Sequence, residues 1–73
     1  MDHYKILEEI YDLIKDMTDA DEIVEVLRLF FVENYGLYSI YDFVKDVTGE
    51  DLYDNTEIVG RIRSKHAHNH GLE

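Results

Sequence analysis

Apolar positions recur at three- and four-residue intervals in four separate stretches of this chain, and that spacing predicts four helices. In the first, Asp2 to Met17, the stripe is Leu7, Ile10, Ile14 and Met17, widened by Ile6 and Leu13. Glu8, Glu9, Asp12, Lys15 and Asp16 occupy the opposite face. Tyr4 and Tyr11, on one flank, read as core-edge packing, with ring buried and hydroxyl wet. The second stretch surrounds the most apolar run of the chain, IVEVLRLFFV over Ile23 to Val32. Its β-branched and aromatic content alone would favour a strand. The flanks favour a helix. Thr18 with Asp21 resembles a capping box, Asp19, Asp21 and Glu22 suit the positive end of a helix dipole, and Gly36 can end one. Ala20, Ile23, Val24, Leu27, Phe30 and Phe31 then form a stripe on a helix from Asp19 to Tyr35, roughly 25 Å long at about 1.5 Å per residue. Val26, Leu29 and Val32 fall off that stripe, as in a helix surrounded by others or facing a second copy.

The third helix starts at Ser39, an N-cap with Asp42 at the capping-box position. It buries Ile40, Phe43, Val44 and Val47 and stops at Gly49. A polar connection with Leu52 and Tyr53 as anchors leads to a fourth helix, capped by Asp54 with Glu57 or by Asn55 alone. Ile58, Val59 and Ile62 are its apolar side. Gly60 either admits a neighbouring backbone or weakens the helix by up to about 1 kcal/mol relative to alanine. The expected fold is all-α: a small bundle of about four short helices, helix-turn-helix-like in its second half. Residues 1–66 form a single helical domain, and residues 67–73 are expected to be a flexible, histidine-containing tail.

Composition narrows the function classes. A chain of 73 residues without cysteine has neither disulfides nor thiolate metal sites. Its longest apolar run is far below the roughly 20 residues that span a bilayer, and its charged N-terminus does not resemble a signal peptide. A cytoplasmic, non-membrane protein is the expectation. The net charge is −10, unevenly placed. Residues 1–57 hold 16 acidic and 4 basic side chains, for −12, whereas residues 58–73 hold Arg61, Arg63 and Lys65 against Glu73, for +2. Such a body repels nucleic acid and anionic membranes and attracts basic protein surfaces, although acidity also serves solubility alone.

No catalytic motif accompanies this pattern. There is no cysteine nucleophile, no glycine-rich phosphate loop, and little room for a concave pocket; Ser39 and Ser64 read as a cap and a surface residue. No enzyme activity, cofactor or metal site is expected. His66 and His70, four apart, could share a divalent ion on a helix, but a closed site needs four ligands and the tail offers few acids. Incidental uptake of nickel or zinc by a mobile tail is the simpler expectation.

Two arrangements remain. The second half reads as helix, glycine-containing turn and basic helix, with Arg61, Lys65 and His68 on one stripe and Arg63 toward the opposite edge. The TGEDL run and the TEIVGRIRSKH segment resemble the C-terminal part of small helix-turn-helix-like proteins encoded by phages and prophages. Thr56, Glu57, Ile58, Arg61, Arg63 and Lys65 occupy matching places. The likeness covers about 25 residues, including the Tyr41-Asp42-Phe43 helix, and departs at the histidine tail. It implies a phage-type origin and a helix-turn-helix-like shape, without establishing DNA binding. The other arrangement is acidic. Carboxylates on the first helix and at the start of the second could imitate a phosphate backbone. In size and charge the chain is similar to small phage inhibitors of host nucleic-acid enzymes, anti-CRISPR proteins included. The leading expectation is a non-enzymatic, phage-encoded protein that inhibits or regulates a host protein by presenting Asp12, Asp16, Asp19, Asp21 and Glu22 to a basic surface. The alternative is a DNA-binding regulator using Arg61, Arg63 and Lys65. A third option is a homodimer formed through the off-stripe faces of the central helix.

Overall fold

The computed structural model describes residues 2–70 and contains four helices: α1 (His3–Ile14), α2 (Ala20–Tyr35), α3 (Ile40–Thr48) and α4 (Asn55–Asn69). Each begins at a side-chain cap. Asp2 accepts from the Lys5 amide, Asp19 from the Asp21 and Glu22 amides, and Asp54 from the Glu57 amide. Ser39 and Asp42 form a reciprocal capping box, and Gly49 closes α3 in the left-handed conformation at φ 78° with its amide on the Lys45 carbonyl. These caps supply partners for amides and carbonyls that a helix end leaves open.

The core has one centre. Ile23, Val24, Leu27 and Phe31 of α2 are buried against Ile6, Leu7, Ile10 and Ile14 of α1, Ile40, Phe43 and Val44 of α3, and Ile58, Val59 and Ile62 of α4. α2 makes its most extensive contacts with α4. The Cα radius of gyration is 11.2 Å, close to the roughly 11 Å expected for a compact chain of this length. All four helices therefore close on one another. The run rich in valine and phenylalanine is helical because its caps and its three- and four-residue periodicity outweigh intrinsic strand preference.

Three boundaries differ from the sequence expectation. α1 ends at Ile14, three residues before Met17, where the chain turns and the Met17 amide bonds the Ile14 carbonyl at 3.0 Å. Leu13, expected on its buried stripe, is 47 % exposed. The cap of α2 is Asp19 instead of Thr18. A carboxylate one residue later reaches two open amides and carries charge that the helix dipole favours. α4 continues through His66 to Asn69, past the domain boundary placed at residue 66. His66 is buried and holds the last turns against α1, where the Tyr4 hydroxyl also meets the Asn69 carbonyl at 3.4 Å. The part of the expected tail at residues 71–73 lies outside the described residues.

Candidate functional site

The five carboxylates expected to meet a partner lie around the α1–α2 junction, and all are exposed. They are not equivalent. Asp19 is the α2 cap, Asp21 accepts from the Asn55 amide nitrogen at 2.8 Å, and Asp12 forms a loose ion pair with Lys15 at 3.9 Å. Asp16 and Glu22 make no side-chain hydrogen bond or ion pair among the described residues. The surface therefore combines carboxylates fixed by folding with others directed only at solvent.

The three basic residues of α4 are placed differently from one another. Arg61 donates to Glu50 at 3.1 Å. Arg63 turns inward: its guanidinium donates to the Met17 carbonyl at 2.7 Å and lies 3.5 Å from that of Ile14. It caps the C-terminus of α1, so the structure separates it from Arg61 and Lys65. Arg61, Ser64, Lys65 and His68 do share one face, along a depression of about 360 Å³ that also contains Thr48 and Glu50. α3 and α4 are joined by six residues, longer than the three or four typical of a helix-turn-helix. Across the molecule, Lys15, Arg28, Lys45 and Arg61 pair with carboxylates and Arg63 caps α1, so five of the seven basic side chains are engaged internally.

Two polar clusters bind the helices together. In one, the Tyr38 hydroxyl donates to Asp46 at 2.6 Å and lies 3.0 Å from His3 Nε2. Burial of the hydroxyl, the bond to Asp46 and the nearby Asp46 and Asp42 charges push the Tyr38 pKa well above its ordinary value of 10.0. The other cluster escaped the sequence reading. Glu8, half-exposed on α1, meets both His66 of α4 and His70, the α4 C-cap: His66 Nε2 lies 3.4 Å from one carboxylate oxygen and His70 Nε2 contacts the other. The His66 ring stacks on Tyr11 with centroids 3.5 Å apart and planes 1° from parallel. The hydrogen bond with His70 holds the Glu8 carboxyl below its usual range, against the opposing effect of partial burial, and the His70 and His66 charges and the His66 hydrogen bond reinforce the lowering. Among the described residues these three side chains are the one set with geometry suited to a metal ion, their ligand atoms all within 4.8 Å of one another. The i, i+4 histidine pair was visible in the sequence. Its carboxylate partner lies 58 residues from His66, beyond any local pattern.

On α2, Leu29 and Val32 are 54 % and 67 % exposed, leaving part of the off-stripe side in solvent. No helix among the described residues is long and apolar enough to cross a membrane. Comparisons with protein-family models, curated proteins and solved structures give no match.

Proposed function

We propose that this chain is a non-enzymatic interaction protein, of the small phage type, that docks its acidic α1–α2 surface into a basic site on a host protein and so inhibits or regulates it. One observation carries this reading: the cations are largely neutralised within the fold, whereas the carboxylates at the α1–α2 junction remain exposed. Such a surface accelerates encounter with a basic groove and gives salt-dependent association. A groove that ordinarily holds nucleic acid is the natural target for a cluster of exposed negative charges.

The DNA-binding alternative has less support. Arg63 is occupied by the α1 terminus, Arg61 is paired with Glu50, and a body of net charge −12 over residues 1–57 would oppose a phosphate backbone outside α4.

The test uses the chain as bait in host lysate beside an Asp12→Lys, Asp16→Lys, Glu22→Lys variant, which spares the Asp19 cap and the Asp21–Asn55 bond. The proposal expects a partner that is displaced by rising salt and by duplex DNA and is lost with the variant. A variant that captures the same partner equally well refutes the acidic-surface reading. Retardation of DNA fragments by the chain at low salt, abolished in an Arg61→Ala, Lys65→Ala double variant, would establish the alternative instead.

A further inference from the structure

We propose that Glu8, His66 and His70 form a binding site for a divalent first-row transition ion, with zinc as the physiological candidate. The donor set is two imidazoles and a carboxylate, a combination that binds zinc with water in the fourth position. His66 lies in α4 and His70, four residues on, is its C-cap residue, and α1 presents Glu8 across the interface. The 3.4 Å between His66 Nε2 and the Glu8 oxygen matches the edge of a tetrahedron with bonds of about 2.1 Å, which is about 3.4 Å. All three ligand atoms lie within 4.8 Å of one another; the His70–Glu8 contact is tighter than that edge, so these two side chains must part by rotation to admit an ion.

The surroundings favour the same reading. Tyr11 fixes the His66 plane by stacking, which reduces the ordering needed on binding. The His70 and Glu8 side chains are 40 % and 37 % exposed, giving the ion a route from solvent and leaving room for the water ligand. Because the ligands come from opposite ends of the chain, the ion would clamp the last turn of α4 to α1. Binding would then favour the folded state over the unfolded one. At free metal 100-fold above Kd, the folded-to-unfolded ratio rises about 100-fold, which raises Tm by more than about 10 °C in a domain of this size. Nitrogen-oxygen sites bind copper(II) more tightly than zinc or nickel, so the same residues should take up all three ions, copper(II) most strongly.

The experiment is calorimetric titration of the full chain, without an affinity tag, with zinc chloride, followed by thermal unfolding with and without zinc. Glu8→Gln, His70→Ala and His68→Ala variants are compared, with circular dichroism to establish that each is folded. The expected result is one ion per chain, affinity reduced at least tenfold by Glu8→Gln and by His70→Ala but retained in His68→Ala, and a zinc-dependent rise in Tm that both weakened variants lose. Glu8→Gln is decisive, because a histidine-rich segment acting alone would not sense a residue on α1. No binding, or binding that Glu8→Gln leaves intact, overturns the site. So does affinity that depends on His68 as strongly as on His70.

Discussion

Replacing Arg63 with alanine tests whether this residue serves the fold or an external ligand. Its guanidinium reaches from α4 to the end of α1, donating to the Met17 carbonyl at 2.7 Å and approaching that of Ile14 at 3.5 Å. The Ile14 carbonyl belongs to the last residue of α1, where helix carbonyls lack intrahelical partners and a positive charge is favoured. A hydrogen bond to a charged group contributes about 1.5–3 kcal/mol. The longer contact adds little, and solvent reaches part of the side chain, so the expected loss is about 1–2 kcal/mol. That corresponds to a fall in Tm of roughly 4–16 °C for a 60–100-residue domain. Urea unfolding followed by circular dichroism should show a lower midpoint with an unchanged slope. Arg63→Lys should recover part of the loss, since lysine keeps the charge but lacks the planar fork. Arg61→Ala, which removes a half-exposed ion pair, should cost no more than about 1 kcal/mol. An Arg63→Ala variant as stable as the parent, or less damaging than Arg61→Ala, would refute the capping role.

Three further perturbations probe other parts of the structure. Gly60→Ala should raise stability by about 1 kcal/mol, because a Cβ at this exposed helical position meets nothing within 4 Å beyond its chain neighbours and its own helix backbone; a lower Tm would contradict the packing around α4. Leu27→Ala, at a fully buried site beneath the other helices, should cost about 2–5 kcal/mol in a denaturant melt, whereas a neutral result would place Leu27 outside the core. Tyr38 should stay protonated in an ultraviolet alkaline titration after exposed tyrosines have ionised. Its folded pKa lies above the ordinary 10.0, so its stabilising effect is present below about pH 10 and is lost as pH rises toward the folded value. Tyr38→Phe should weaken that alkaline dependence, and an unchanged profile would count against the Asp46 contact.

What was legible in the sequence was local. Ser39, Asp42 and Gly49 lie within one short segment and marked α3 correctly, because a capping box and a left-handed glycine need only near neighbours. The buried faces of α2, α3 and α4 followed from spacing for the same reason. The α2 cap was missed by one residue because Thr18 and Asp19 both have suitable oxygens, and only backbone geometry decides which meets the open amides. Arg63 looked like a surface cation because its partners are carbonyls 46 and 49 residues away. The histidine segment looked unanchored because neither Tyr11 nor Glu8 is near it in sequence. Long-range polar contacts of this kind leave no periodic trace.

Amide hydrogen exchange across Ala20–Tyr35, read with backbone chemical shifts, tests most directly whether α2 is a helix whose apolar face packs against the other three. Helical shifts throughout, with the slowest exchange at Ile23 through Phe31 and opening energies near the global stability, are the predicted result. Extended shifts in that segment, or exchange there as fast as in the α3–α4 connection, would contradict the architecture and remove the scaffold that holds the α1–α2 carboxylates outward.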